Sequence, residues 1–143
     1  PKGWLASGLQ ETWNTVDYLL ENGATHVADW ACDDQPFLMD VGGKLLVSIP
    51  YSTEINDKPA FESFYRSADE FGDMIRRQFD VLYRESVTSA RVMAVSLHPY
   101  ITGRPHRIDA LDDALAHICR HEDVWLATGS EIVDHFLQSG IAF

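Results

Sequence analysis

The chain has 143 residues, 45% of them hydrophobic and 23% charged, and its 11 Lys and Arg against 22 Asp and Glu give a formal net charge of −11. The length is that of a single domain, and the apolar fraction is that of a globular chain with a core, so a disordered chain is excluded. A surface this acidic repels phosphate groups, so we expect neither nucleic-acid binding nor docking on an anionic membrane.

Targeting and redox signals are few. No run approaches the roughly 18 apolar residues of a membrane-spanning helix. The start at Pro1 has no signal-peptide core and no initiator Met, so we expect a processed chain or a piece of a longer polypeptide. Cys32 and Cys119 lie far apart and form no C-x-x-C pair. Two free thiols in a reducing compartment are expected, which favours a soluble, cytoplasmic protein.

The first third of the chain predicts one helix and two strands. A helix over residues 15–21 is indicated by apolar positions that share one face and by Gly23, which follows as a stop signal. Strands are predicted over 26–30 and 44–49, and a long loop over 51–65 follows the second of them.

A well-signalled helix and the most apolar strand come next. Ser67 and Glu70 form a capping box that opens the helix. The apolar stripe of that helix consists of Phe71, Met74, Ile75, Phe79 and Leu82. Residues 91–97 are apolar almost throughout and predict a strand buried on both faces, with His98 at its C-terminal end.

The last part of the chain continues the alternation of predicted helices and strands. It predicts a helix over 108–121, a short strand over 124–127, and a final helix that a Thr128 and Glu131 capping box opens. Strands and helices in this order favour an α/β fold with a mainly parallel sheet or barrel. In such folds, the chemistry collects on the loops after the C-terminal ends of strands.

His98 is the strongest single candidate for catalysis, because it ends a predicted strand and precedes a Gly/Pro loop. An imidazole at that position can act as a general acid or base near neutral pH. The alternative is a capping or packing histidine.

Carboxylates cluster after an earlier predicted strand, where Asp29, Asp33 and Asp34 lie within six positions. Such a group can orient a histidine or bind a metal, but turn-forming Asp on a solvated loop is the simpler interpretation. Asn56 and Asp57 are ambiguous in the same way, since Asn-Asp before Lys-Pro is a good turn.

His117 and His121 form an H-x3-H pair with the spacing of a zinc motif. We take the core stripe of the predicted helix to be Ile108, Leu111, Leu115, Ile118 and Cys119. At about 100° per residue, both histidines then point away from that stripe. We therefore expect both to face solvent and predict no metal ligand in this chain.

Four aromatic residues, Trp4, Trp30, Tyr51 and Tyr100, occur in loops or at strand ends, where a pocket wall needs them. Each can equally be explained by core or rim packing. No G-x-S-x-G, phosphate-binding Gly loop or G-x-G-x-x-G occurs in the sequence, so serine-hydrolase and nucleotide-binding functions lack their motifs.

Several short strings together resemble one family. They are Gly3-Trp4-Leu5, Asp29-Trp30, Asp33-Asp34-Gln35-Pro36, Glu54-Ile55-Asn56-Asp57, His98-Pro99-Tyr100 and Gly103-Arg104-Pro105-His106-Arg107. In this order they resemble the polysaccharide deacetylase (NodB-homology) superfamily. They are most similar to its branch of cofactor-independent allantoinases and peptidoglycan-deacetylase-like proteins.

The resemblance implies a distorted (β/α) barrel and hydrolysis of a non-peptide carbon–nitrogen bond, in a linear amide or a cyclic one. His98 matches the family's general acid. The Asp that supports that histidine is matched most nearly by Asp34, or by Asp33. The expected substrate contacts are Trp4, Trp30, Asp33, Tyr51, Asn56, Asp57, Tyr100 and Arg107.

The resemblance also implies what this sequence lacks. The family's zinc ligands, an early Asp and an H-x3-H pair, and its catalytic base lie upstream of the Gly-Trp segment. We therefore expect residues 1–143 to be the C-terminal half of one catalytic domain, with zinc, if any, bound by residues outside this chain. Half a barrel has open sheet edges, which predicts an N-terminal complement or an oligomer as partner.

The leading hypothesis is a hydrolase of small amides or cyclic ureides that is active only with its complement. The alternative is a non-catalytic binding or assembly module of the same fold.

Overall fold

The computed structural model describes residues 1–140, which form two compact units. The first unit combines Pro1–Tyr51 with the segment from Leu126 onward, and the second unit is Ser52–Trp125. In the described residues, no helix is both long enough and apolar enough to cross a membrane.

A four-stranded mixed sheet forms the centre of the first unit. Its strands are β1 (Gly3–Trp4), β2 (His26–Val27), β3 (Phe37–Val41) and β4 (Lys44–Ser48), in the spatial order β1-β2-β4-β3. The β1–β2 and β2–β4 pairs are parallel, and β3 pairs antiparallel with β4.

A tight hairpin connects β3 to β4 through Gly42 and Gly43, whose φ angles are 60° and 84°. Left-handed φ at both central positions is what a two-residue hairpin turn needs, and glycine adopts it without a steric penalty. Sequence analysis did not predict β3, although this Gly-Gly pair is a hairpin signal.

The first unit also contains a 3-10 turn (Ser7–Leu9) and the helices α1 (Thr15–Glu21) and α5 (Gly129–Gln138). The predicted bounds of α1 are confirmed, and α5 opens with the predicted Thr128 and Glu131 capping box. Val133 and Phe136 of α5 pack with Val47 of β4 in a small apolar cluster.

The second unit is mainly helical. It contains a π-helical turn (Pro59–Ser63), α2 (Ala68–Glu85), the short α3 (Pro99–Thr102) and α4 (Ile108–Cys119). The capping box that opens α2 is present as predicted. The buried core consists of Ile55, Ala60, Phe61, Phe71, Ile75, Phe79, Ile101, Leu111, Ala114 and Ile118.

Three strand predictions differ from the structure. Residues 91–97 are partly buried and form one isolated parallel bridge, between Asn56 and Ser96, rather than a strand buried on both faces. Residues 124–127 are not a strand, and the strand predicted over 26–30 ends at Val27. An apolar run reports a tendency to be buried, whereas a strand also requires a hydrogen-bonded neighbour along its length.

The predicted core stripe of α4 was also partly wrong. Leu111 and Ile118 are buried, but Ile108, Leu115 and Cys119 are exposed, and Ala114 is fully buried instead. A small residue allows the close packing of α2 on α4, so the buried face is rotated toward Ala114.

Candidate active site

A buried carboxylate holds His98 in the second unit. Asp57 Oδ1 lies 2.6 Å from His98 Nδ1, and the Asp57 side chain is 0% exposed. The imidazole itself is 34% exposed. The pair therefore joins a charge shielded from water to a ring that solvent or a ligand can reach.

Two further donors complete the surroundings of Asp57. The backbone N–H of His98 and the hydroxyl of Thr102 both donate to Asp57 Oδ2, each at 2.7 Å. Thr102 is itself buried. Burying an unpaired carboxylate is costly, so three donors on two oxygens explain how an ionised Asp57 is tolerated there.

The local chain path brings these groups together. The backbone N–H of Asp57 donates to the carbonyl oxygen of Ser96, and the N–H of Ser96 donates to that of Ile55, which sets the two segments parallel. His98 then stands as the residue before α3, and Pro99 occupies the first helical position. Proline fits there because its missing N–H would have no partner inside the helix.

The tautomer of His98 follows from its contacts. An ionised carboxylate only accepts, so Nδ1 carries the proton that is donated to Asp57. Nε2 is then the nitrogen left for chemistry, and the anionic Asp57 stabilises the imidazolium that forms when Nε2 is protonated. The arrangement is suited to delivering a proton to a substrate atom.

Other predicted site residues of the second unit lie near this pair in sequence. The Tyr100 ring meets the His98 ring edge-on, with 5.7 Å between centroids. The Arg107 guanidinium lies 4.2 Å from the centre of the Phe61 ring and donates to the Ile101 carbonyl oxygen. Asn56 Oδ1 accepts from the Lys58 N–H, which is the turn contact that sequence analysis weighed as an alternative.

The remaining candidates belong to the first unit. Trp4 and Trp30 are exposed, and Asp34 and Tyr51 are half-buried. Asp33 Oδ1 accepts from the Gln35 N–H, a typical turn contact.

The carboxylate bonded to His98 is therefore Asp57, and sequence analysis assigned that role to Asp34 or Asp33. Asp57 was expected only as a substrate contact, and Thr102 was not singled out at all. Sequence analysis had noted that Asn56 and Asp57 could form either a turn or part of a functional site. It could not pair Asp57 with His98, because a side-chain contact between residues so far apart in sequence leaves no local pattern.

A second pair of carboxyl groups lies in the first unit. Asp29 Oδ1 accepts from the Ala6 N–H, whereas Asp29 Oδ2 and Glu11 Oε1 are buried without a hydrogen-bond partner in the described chain. Burial first, and then the neighbouring Asp29 carboxylate, raise the pKa of Glu11, while the Trp30 side chain lowers it. Asp29 thus ties the segment after β1 to the segment after β2.

The H-x3-H pair does not face solvent as predicted. His117 and His121 are half-buried, and both rings pack edge-on against Phe79 of α2. The reason is the rotated buried face of α4, which places these two positions beside α2.

The residues around His98 do not form a zinc site, and zinc was expected only from residues outside this chain. Both oxygens of Asp57 already accept hydrogen bonds, and Nδ1 of His98 carries a proton. Only Nε2 is left as a donor atom, and one ligand does not make a zinc site.

Two sequence relatives of the chain are named as deacetylases. The chain is 38% identical over 108 residues to a protein of Schizosaccharomyces pombe named "Putative polysaccharide deacetylase", a match covering 72% of this chain and 33% of the relative. It is 30% identical over 136 residues to the peptidoglycan deacetylase of Helicobacter pylori, covering 90% of this chain and 43% of that protein. No protein-family profile matches the chain.

Solved structures give the same result for the fold. The crystal structure of Puue allantoinase superimposes with a TM-score of 0.90 at 27% identity, covering 100% of this chain and 48% of the allantoinase chain. The expected α/β fold of the polysaccharide deacetylase type is confirmed. The chain spans less than half the length of the curated relatives and about half of this solved chain.

Proposed function

Because the chain belongs to the polysaccharide deacetylase (NodB-homology) superfamily, we propose that it carries the general acid of a hydrolase that cleaves a non-peptide carbon–nitrogen bond. The observation that carries the proposal is the hydrogen bond between buried Asp57 and the half-exposed His98. A surface histidine needs no fully buried carboxylate, whereas an acid that protonates a leaving group needs a fixed tautomer and orientation.

The proposed reaction is addition of water to an amide carbonyl, followed by collapse of the tetrahedral intermediate. The water oxygen forms the new bond to carbon as a base outside this sequence takes its proton. The carbon–nitrogen bond then breaks, and the leaving nitrogen takes the proton from His98 Nε2. Asp57 acts as the positioning residue, since it holds Nδ1 and stabilises the positive ring before that transfer.

A small amide or a cyclic ureide is the proposed substrate, in preference to a polysaccharide. The structural likeness to an allantoinase, with a TM-score of 0.90, supports a ureide-like substrate. Tyr100 and Arg107 are the proposed substrate contacts of the second unit, together with Asn56. The roles expected for Trp4, Trp30, Asp33, Asp34 and Tyr51 of the first unit stay predictions.

An N-terminal complement of the same domain is the proposed partner. The relatives and the solved allantoinase are two to three times as long as the matched region. The base of the proposed reaction, and any metal of the family, would come from that complement.

The test compares the complete enzyme with its His98→Asn variant on a cyclic ureide and on an N-acetylated sugar. Asn keeps an N–H donor for Asp57 but removes the acid. We expect kcat to fall by roughly 10²–10⁴-fold with KM little changed. The control is His106→Asn, because His106 is an exposed histidine of the same unit.

Equal kcat in the wild type and the His98→Asn variant would overturn the acid role. Ligand binding without turnover, in the wild type as well, would instead establish a non-catalytic binding module.

A further inference from the structure

A group of possible metal ligands lies in the second unit, away in sequence from Asp57 and His98. Asp80 of α2, with His117 and His121 from α4 and the residues just after it, places one carboxylate oxygen and two ring nitrogens within 4.8 Å of one another. All three side chains are half-buried. The group thus combines residues from two packed helices.

The two histidine rings are held in place by aromatic neighbours. Their centroids are 4.8 Å apart, and both rings pack against Phe79. The Tyr83 ring adds a second contact to His121, also at 4.8 Å. A spacing of four residues places two imidazoles on the same side of a helix, which is how helical zinc motifs present their nitrogens.

Hydrogen bonds fix the tautomer of one ligand. His121 Nδ1 lies 2.9 Å from the backbone carbonyl oxygen of His117, and since a carbonyl only accepts, Nδ1 must donate. The lone pair of a neutral His121 is therefore on Nε2. A ring nitrogen that donates to a backbone carbonyl is the usual outer-shell support of a metal-binding histidine.

The third ligand already contacts the pair. Asp80 Oδ1 lies 2.7 Å from His117 Nε2. An ion that binds both atoms displaces the proton between them, and the neutral ring then carries its proton on Nδ1. A tetrahedral zinc ion holds its ligand atoms roughly 3.3 Å apart, so binding requires the three atoms to draw together from their observed spacing of up to 4.8 Å.

We propose that Asp80, His117 and His121 bind a divalent transition-metal ion, with Zn²⁺ as the fitting species, and that the ion ties α2 to α4. Two imidazoles and one carboxylate favour Zn²⁺ over Mg²⁺, which prefers oxygen ligands. The net charge of −11 adds attraction for cations. The site is separate from the proposed acid, since it shares no residue with Asp57, His98 or Thr102.

The test is a Zn²⁺ titration of the purified protein by calorimetry, paired with thermal unfolding. The variants are Asp80→Asn and His121→Phe. Phe keeps the aromatic packing on Phe79 and Tyr83, and circular dichroism checks that each variant folds. The control is His106→Asn, and Mg²⁺ serves as the comparison ion.

We expect both ligand variants to lose one equivalent of bound Zn²⁺ or to bind it with strongly reduced affinity. The reduction should be at least the roughly 10–100-fold that changes to outer-shell residues cause. Saturating Zn²⁺ should raise the unfolding midpoint of the wild type and of the control by several degrees, and of neither variant. Mg²⁺ should have no effect. Equal Zn²⁺ stoichiometry and affinity in the wild type and in folded Asp80→Asn and His121→Phe would overturn the site.

Discussion

Asp57 and His98 are 41 positions apart, yet Oδ1 of the first and Nδ1 of the second are joined by a 2.6 Å hydrogen bond. The carboxylate also accepts from the backbone N–H of His98, so it fixes both the ring and the main chain of the same residue. Orientation and charge compensation of His98 thus depend on one buried side chain. This dependence makes Asp57 the most informative position to change.

Asp57→Asn should lower kcat in the complete enzyme by roughly 10²–10⁴-fold, because an amide can donate to Nδ1 and so favours the wrong tautomer of His98. KM should change little, since the change removes no proposed contact to the leaving nitrogen. Steady-state kinetics over pH 5–9 measure both parameters and show whether the pH profile moves.

Asp109→Asn is the matched control for Asp57→Asn, because Asp109 is an exposed acid of the same unit. If Asp57→Asn folded as the wild type does and kept its kcat and pH profile, Asp57 would be no more than a structural residue.

Thr102→Val should destabilise the protein without removing the hydrogen bond between Asp57 and the His98 imidazole. The hydroxyl of Thr102 donates to Asp57 Oδ2, and Val has nearly the same shape without the donor. Loss of one partner of a buried charged group costs about 1–3 kcal/mol of unfolding free energy. Urea unfolding followed by circular dichroism measures the change.

Thr88→Val is the comparison for Thr102→Val, since the Thr88 hydroxyl is exposed and water can replace its contact to the Glu85 carbonyl oxygen. Equal effects of the two substitutions would show that the hydroxyl of Thr102 does not support Asp57.

Local signals explain which parts of the fold could be predicted from the sequence. The Ser67 and Glu70 capping box and the Gly-terminated helix over 15–21 depend on neighbours within a few residues, and both are present. The face of α4 could not be fixed in this way. Leu115 and Ala114 are both acceptable core residues, and only the close approach of α2 decides between them.

The site was predicted in part for the same reason. His98 follows from its place at the end of an apolar run, which is a local observation. The partner carboxylate does not, because Asp33, Asp34 and Asp57 all have turn-like surroundings and only the folded chain distinguishes them. The Asp80, His117 and His121 group likewise depends on the rotation of α4 against α2.

Gly72→Ala should destabilise the second unit, although the same change in an exposed helix is stabilising. A Cβ at position 72 would lie 2.9 Å from the backbone carbonyl oxygen of Ala110, where α2 meets α4. Such overpacking costs about 1–3 kcal/mol, and Gly72→Ser should cost more. Chemical unfolding measures both.

Arg77→Ala provides the reference for a change on the exposed face of α2, with an expected effect within about 0.5 kcal/mol. Stabilisation by Gly72→Ala would contradict the close helix contact.

Acidification should destabilise the first unit through His26. Burial lowers the pKa of this histidine from its ordinary value of 6.5, with Asp134 acting to raise it and Lys2 to lower it. The folded state therefore favours the neutral ring. That contribution to stability is fully present above pH 6.5 and is lost as the pH falls through the lowered pKa of the folded state.

The carboxylates of the two capping boxes lose their contribution to stability at a lower pH than His26 does. Backbone hydrogen bonds at Ser67 and Thr128 lower the pKa of Glu70 and Glu131 below the ordinary value of 4.5. Their contribution to stability is present above pH 4.5 and lost as the pH falls further. The two ranges can therefore be separated by measuring unfolding free energy at closely spaced pH values.

The variant His26→Asn separates the contribution of His26 from that of the carboxylates, because Asn does not titrate. As the pH falls below 6.5, the wild type should lose unfolding free energy, whereas the variant should show a flatter profile above pH 4.5 and the same decline below it. Hydrogen exchange at the amides of β2 locates the effect, since His26 and Val27 pair with Val47 and Ser48 of β4. Parallel pH profiles for the two proteins would rule out His26 as the group responsible, and the acid sensitivity would then belong to the carboxylates.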